Sequence, residues 1–303
     1  MKTIPVAILA LSLTFASAPG VAASPATSFY AVGHEDDWQL FMNPEVYNDV
    51  RDSVAKTVII HTTAGDAGLG IGSGGRQYPY YLAREEGALR AMRFIKSSGG
   101  RTGQQRLQRQ DRVVNGHTIL RYASTDGRAV LYFLRLPDGG GGDTGYPGTG
   151  YESIEKLKTA GKPIHAIDGS TAYVSWTDLT STLAALARAE AAGSSDVSFS
   201  IADTDASVNP GDHSDHRFTS YAMQDARRAL SGCIDQLFYS EYDTASRPQN
   251  ITGDALLINA ATWGATTSGI SDLDHPSTFE AGHNAWLSRD YYRLVRGTGT
   301  CQW

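Results

Sequence analysis

The chain has 303 residues, 41% hydrophobic and 19% charged, with 26 basic against 32 acidic side chains and a formal charge of −6. That apolar share supports a packed core and excludes a disordered or collagen-like chain. No Lys/Arg-rich run suggests a nucleic-acid footprint or a polybasic membrane patch, and two cysteines are too few for a disulfide scaffold or a Cys-based zinc finger.

Residues 1–23 read as an export signal, with Lys2 in a short basic start and an apolar run from Ile4 to Ala16. Val21-Ala22-Ala23 offers small residues for cleavage, making Ser24 the expected first residue of a secreted or periplasmic protein. The apolar run is shorter than a spanning helix requires, and no second long one occurs, so no transmembrane segment is expected in the mature chain. Residues 24–303 read as a single domain.

Two short apolar runs, Ser28 to Gly33 and Thr57 to Thr63, predict buried strands that end in polar loops. Leu82, Leu89, Met92 and Ile95 recur at combinations of three and four and predict a helix between Tyr81 and Lys96. Asn115-Gly116 within Val113 to Tyr122 signals a hairpin turn. Ala129 to Leu136 reads as another buried strand, followed by a Gly-rich loop from Gly139 to Gly150. Leu179, Leu183 and Leu186 mark a helix running to Gly193 as its C-cap; Val197, Phe199 and Ile201 alternate as a strand. Phe218, Tyr221, Ala222 and Ala229 predict a helix closed by Gly232. Strands alternating with helices imply an α/β layered sheet. The segment 233–303 carries no readable pattern. In an oxidising compartment Cys233 and Cys301 can pair and close that segment onto the body, with two buried thiols as the alternative.

The chemistry concentrates in two short motifs. His34-Glu35-Asp36-Asp37 follows the first strand, and His213-Ser214-Asp215-His216 precedes the last helix. In α/β sheets, sites form outside the carboxyl ends of strands, where both motifs would lie. Imidazole and carboxylate suit Zn²⁺, and three protein ligands leave an open position for catalysis. Neighbouring aspartates on a turn need not point the same way, so one can bind an ion while the other addresses a water molecule.

This pairing resembles the PIG-L superfamily of metal-dependent de-N-acetylases, which includes LmbE-like and GlcNAc-phosphatidylinositol deacetylases. The resemblance covers about residues 28–232 and extends to Thr63-Ala64-Gly65-Asp66, Arg84-Glu85-Glu86 and Leu136-Pro137-Asp138-Gly139. It implies a Rossmann-like three-layer sandwich with a mostly parallel sheet. It implies Zn²⁺, or another divalent metal, held by His34, Asp37 and His216. It assigns Asp36 as general base and gives His213 the oxyanion or the leaving amine. Glu35 and Trp38 stand where the family commonly has Pro and an acid, and Gly211 where some relatives have Tyr. Arg84 and Asp138 are candidate substrate-binding residues, or equally an ion pair and a loop cap.

The expected activity is therefore an exported zinc-dependent hydrolase that removes an acetyl group from an N-acetylated sugar, glycan or glycolipid. The alternatives are a carbohydrate-binding protein without turnover, or a metal-dependent esterase or amidase acting elsewhere. A Ser hydrolase is disfavoured because no G-x-S-x-G elbow is present. Gly70, Gly72 and Gly75 fit G-x-G-x-x-G but read better as a loop than as a dinucleotide site. His61 reads as a hydrogen-bonded core residue and His117 as exposed. His165 and His275 lack a partner motif, while His283 with Trp286 can face the pocket. Asn250-Ile251-Thr252 is a glycosylation sequon.

Overall fold

A computed structural model describes residues 25–98, 106–142 and 144–298. The proposed signal segment, Ser24 and Cys301 lie outside the described residues. Cys233 is buried and is not a free thiol.

The chain alternates strands and helices. β1 (Ala26–Val32) leads through α1 (Asp37–Phe41) and α2 (Glu45–Arg51) to β2 (Lys56–Thr63) and α3 (Tyr80–Ser97). A hairpin of β3 (Leu107–Val114) and β4 (His117–Ser124) precedes β5 (Ala129–Leu136). Then come α4 (Ile154–Ala160), the small ribbon β6 (Ile164–His165) and β7 (Ala172–Tyr173), α5 (Trp176–Glu190), β8 (Asp196–Ala202) and α6 (Ser214–Arg228). The C-terminal part contributes β9 (Asp235–Tyr239), α7 (Gly253–Asp272), α8 (Ala281–Asn284) and β10 (Tyr292–Val295).

Eight strands form one sheet in the order β10-β9-β8-β1-β2-β5-β4-β3. The central run from β9 to β5 is parallel, and β10, β4 and β3 add antiparallel edges. β1 continues to β2 on one side while β8 returns on its other side, so the order reverses there and opens a crevice at the strand ends.

Strands covered on both faces need apolar residues at successive positions, and β2 is buried at seven of its eight residues. Phe29 and Ala31 point into a core shared with Leu179, Leu183, Phe218 and Met223 from α5 and α6. Tyr30 and Val32 point the other way, toward Trp38, Val46, Met92 and Trp263 from α1, α2, α3 and α7. The result is a three-layer α/β sandwich with a mostly parallel sheet, as the sequence implies.

Several local expectations need correction. The hairpin turn is at Asn115-Gly116, both with positive φ as a two-residue turn demands, but β3 begins at Leu107, six residues before the predicted segment. α5 ends at Glu190, with Ala191 rather than Gly193 as C-cap, and α6 ends at Arg228, four residues before Gly232. His117 is not exposed: its ring bonds Thr171 Oγ1 and Asp178 Oδ1, each at 2.8 Å, and stacks on Tyr173. No helix among the described residues is long and apolar enough to cross a membrane.

Candidate metal centre

Residues 182 positions apart meet at the crevice between β1 and β8. His34 lies just past the end of β1, and the turn into α1 carries Asp36 and Asp37. α6 arrives with His213 as its N-cap residue, the ring Nδ1 accepting the Asp215 N–H at 3.2 Å. Gly33 permits this docking, since a Cβ there would stand 2.8 Å from His216 Cδ2.

Three donor atoms face one point. His34 Nδ1 is 3.0 Å from His216 Nε2 and 3.5 Å from Asp37 Oδ1, and His216 Nε2 is 3.2 Å from the same Asp37 oxygen. Donors bound to a tetrahedral ion at about 2.0–2.1 Å stand about 3.3 Å apart, so this triangle has the edge length a zinc-sized ion needs. His213 also brings a ring nitrogen within 4.8 Å of those of His34 and His216. The set with Asp37 is the tighter one, and His213 flanks it.

Both imidazoles of the triangle are braced on their far side, the arrangement that metal-binding histidines use. His34 Nε2 faces Asp215 Oδ2 at 3.2 Å, and Gly139 N–H steadies that oxygen from 2.9 Å. His216 Nδ1 donates to Asp212 Oδ1 at 2.8 Å, with Glu241 Oε2 at 2.5 Å. Asn209 ties the two acids together: its amide nitrogen donates to Asp212 and its oxygen accepts the Glu241 backbone N–H. The Asp37 carboxylate accepts the His34 backbone N–H at 2.7 Å.

The local field favours a positive charge. Burial opposes protonation of His34 and His216, yet Asp37 and the bracing carboxylates hold both rings well above the ordinary histidine range. Asp37 is correspondingly held well below the usual carboxylate range by those two rings, despite its burial. A site that pulls protons onto two buried imidazoles attracts a cation for the same reason. The buried His/Asp cluster can therefore hold a metal ion.

Asp36 and His213 flank the triangle at the cavity. Burial, then the neighbouring His34, lowers the His213 pKa, and because its Nδ1 accepts a backbone N–H, the neutral ring carries its proton on Nε2. Asp36 is partly open, and Arg84 Nη2 grips its Oδ1. Arg84 further donates to Gly65 O at 2.8 Å and sits 3.4 Å from Glu35 Oε2. Glu35 is fully buried, and burial raises its pKa well above the usual range although Arg84 partly offsets this. Asp138 caps the neighbouring loop, accepting from Gly140 N and Ala67 N. Arg84 and Asp138 thus do hold structure as an ion pair and a loop cap, and both also line the cavity in front of the triad.

The C-terminal segment completes that cavity. Tyr242, His283 and Trp286 line it together with Phe41 and Tyr80, so His283 and Trp286 do face the pocket. Tyr242 and Trp286 stack at 5.5 Å with their planes 20° apart, and the Trp286 indole donates to Tyr242 O at 3.2 Å. Sequence reasoning missed Glu241, Tyr242 and the bracing roles of Asp212 and Asp215. Their signal was slight: Ser240-Glu241-Tyr242 follows the apolar run Leu237-Phe238-Tyr239, as His34 follows its own strand. Among the other candidates, His61 is fully buried, bonds Tyr132 O at 3.0 Å and stacks on Phe133, a core residue as expected. The stretch Gly70–Gly75 is loop.

No protein-family model matches the chain, and no curated protein matches it.

Proposed function

We propose that this protein is an exported, zinc-dependent member of the PIG-L superfamily that hydrolyses the acetamido group of an N-acetylated sugar or glycoconjugate. The observation that carries the reading is the braced triangle of His34, Asp37 and His216, which opens onto a cavity flanked by Asp36 and His213.

His34, Asp37 and His216 would hold the ion, which when bound supplies Lewis acidity toward water and the acyl oxygen. The chain's own residues do the rest. Arg84 fixes one oxygen of Asp36, so the other is the one available to take a proton from water. The water oxygen joins the acyl carbon, the C–N bond breaks, and the nitrogen gains a proton, giving acetate and a free amine. His213 presents Nε2–H, fixed by its N-cap bond, to the oxygen that gains charge or to the departing nitrogen. Asp36 is not needed for sugar binding alone, which favours an enzyme over a binder.

Purified protein assayed for acetate and amine release from N-acetylglucosamine oligomers and glycolipids, before and after chelation and zinc return, tests the proposal. Metal-dependent release supports it. Turnover that survives complete metal removal, or tight sugar binding without release, overturns it.

A further inference from the structure

Within the proposed hydrolase reading, the cavity's charges narrow the substrate further. Arg84 is the only Lys or Arg side chain lining it among the described residues, and both terminal nitrogens of its guanidinium already bond within the protein. Asp36 takes Nη2, Gly65 O takes Nη1, and Glu35 stands 3.4 Å from Nε. Of the imidazoles lining it, His283 is paired with Glu280 through Nδ1, His213 accepts the Asp215 N–H at Nδ1, and His34 belongs to the triad. Against these stand Asp36 and Asp138, which line the cavity, and Asp37 behind them. A divalent ion together with Arg84 would only balance these three acids.

Most of the remaining lining is aromatic. Phe41 packs edge-on against Trp286 at 5.3 Å, Trp286 stacks on Tyr242, and Tyr80 adds a further ring. Tyr242 remains 37% exposed. Ring faces and edges suit the C–H surface of a pyranose and carry no cation for a phosphate. The cavity volume is about 200 Å³, below the ~300–1,000 Å³ of pockets for drug-sized ligands, which fits one ring at a time.

We infer that this pocket takes a single uncharged acetamido sugar unit and rejects its phosphorylated counterparts. A phosphate entering it would lose its water, find no uncommitted cation on the protein, and stand beside Asp138.

The test compares methyl β-N-acetylglucosaminide with N-acetylglucosamine 6-phosphate and 1-phosphate. Calorimetric binding to the zinc-loaded parent, which keeps all three acids and the Asp36 hold on Arg84, is read beside its kcat/KM. The neutral sugar should bind at least about tenfold more tightly than either phosphate, since like charges facing each other cost kcal/mol. Trp286→Ala should raise KM for the neutral sugar about tenfold and leave zinc content unchanged. Equal or tighter binding of a phosphosugar, or no binding of the neutral sugar, overturns the inference. Binding of the neutral sugar with no acetate released from it sinks the hydrolase reading and leaves the selectivity standing. Release from neutral and phosphorylated sugars alike does the reverse.

Discussion

Of the three proposed ligands, His216 has the surroundings that make the sharpest prediction. Its Nδ1–H has two carboxylates within reach, Asp212 Oδ1 at 2.8 Å and Glu241 Oε2 at 2.5 Å, but one N–H serves only one acceptor well. Asp212 makes the aligned hydrogen bond, while Glu241 Oε2 has no hydrogen-bond partner. Burial pushes Glu241 up to about 8, toward its protonated form, whereas Asp212 makes the aligned bond and is steadied by Asn209 Nδ2 at 2.9 Å, so Asp212 is the acid that sets the ring. Asp212→Asn should therefore weaken zinc binding by about 10–100-fold, the usual cost of losing such a bracing group. That corresponds to roughly 1.4–2.7 kcal/mol. Glu241→Gln copies the protonated acid and should change zinc affinity little at pH 7. Competition against a chromophoric chelator, with circular dichroism confirming the fold, measures both. An unchanged affinity for Asp212→Asn would falsify the assignment of His216 as a ligand. A larger loss for Glu241→Gln would show that the charge sits on the other acid.

Asp36→Asn should keep its zinc and lose ~10²–10⁴-fold in turnover, whereas Asp37→Asn and His216→Ala should lose the metal itself, with metal content and amine release read on the same samples. Loss of zinc from Asp36→Asn would move Asp36 into the ligand set. Burial and neighbouring Glu45 raise Asp290 to about 10, so the folded chain keeps a proton that the unfolded chain releases near pH ~4, and stability falls as pH rises between those values. Asp290→Asn needs no such proton; its Tm advantage should be greater at pH 9 than at pH 5 by at least about 1 kcal/mol, roughly 2–4 °C, and an equal effect at both would refute it. Phe199→Ala removes a buried ring that meets Phe29 edge-on at 5.4 Å beneath the crevice. It should cost about 3–5 kcal/mol in denaturant unfolding, and a loss below about 1 kcal/mol would show that the site collapses to fill the space.

The central strands were legible because burial on both faces writes unbroken apolar runs into β1, β2 and β5, and the hairpin because Asn115-Gly116 names its own turn. Both motif halves were legible because each follows or precedes such an element. α7 was not, because it does not pack by an apolar stripe. Its buried face is Asn259, Thr262, Trp263, Thr266, Thr267, Gly269 and Ile270. It lies so close to α3 that a Cβ on Gly269 would come within 2.8 Å of Gly87 Cα. Thr262 and Thr266 satisfy their hydroxyls on carbonyls one turn back, so polar residues enter the interface without cost to the hydrogen-bond count. Hydrophobic periodicity cannot register packing by small residues. Asp212 and Glu241 were missed for a related reason: a carboxylate beside a strand end reads as a solvated loop until the fold buries it against His216.

The distance along the chain between the halves of the centre has a consequence for its history. His34 leaves the ribosome 182 residues before His216, and Glu241 emerges 25 residues later still. Loop closure over that span is among the slowest steps a chain of this size takes, and β8 must dock beside β1 before α6 can deliver its imidazole. An emerging chain therefore carries the His34, Asp36 and Asp37 donors but not the imidazole of His216 until the sheet is nearly whole. Any fragment ending before Glu241 lacks both a full brace and the rings of Tyr242 and Trp286. On the proposed function, metal acquisition would therefore mark completed assembly, and truncated products of the same gene should be inert rather than weakly active.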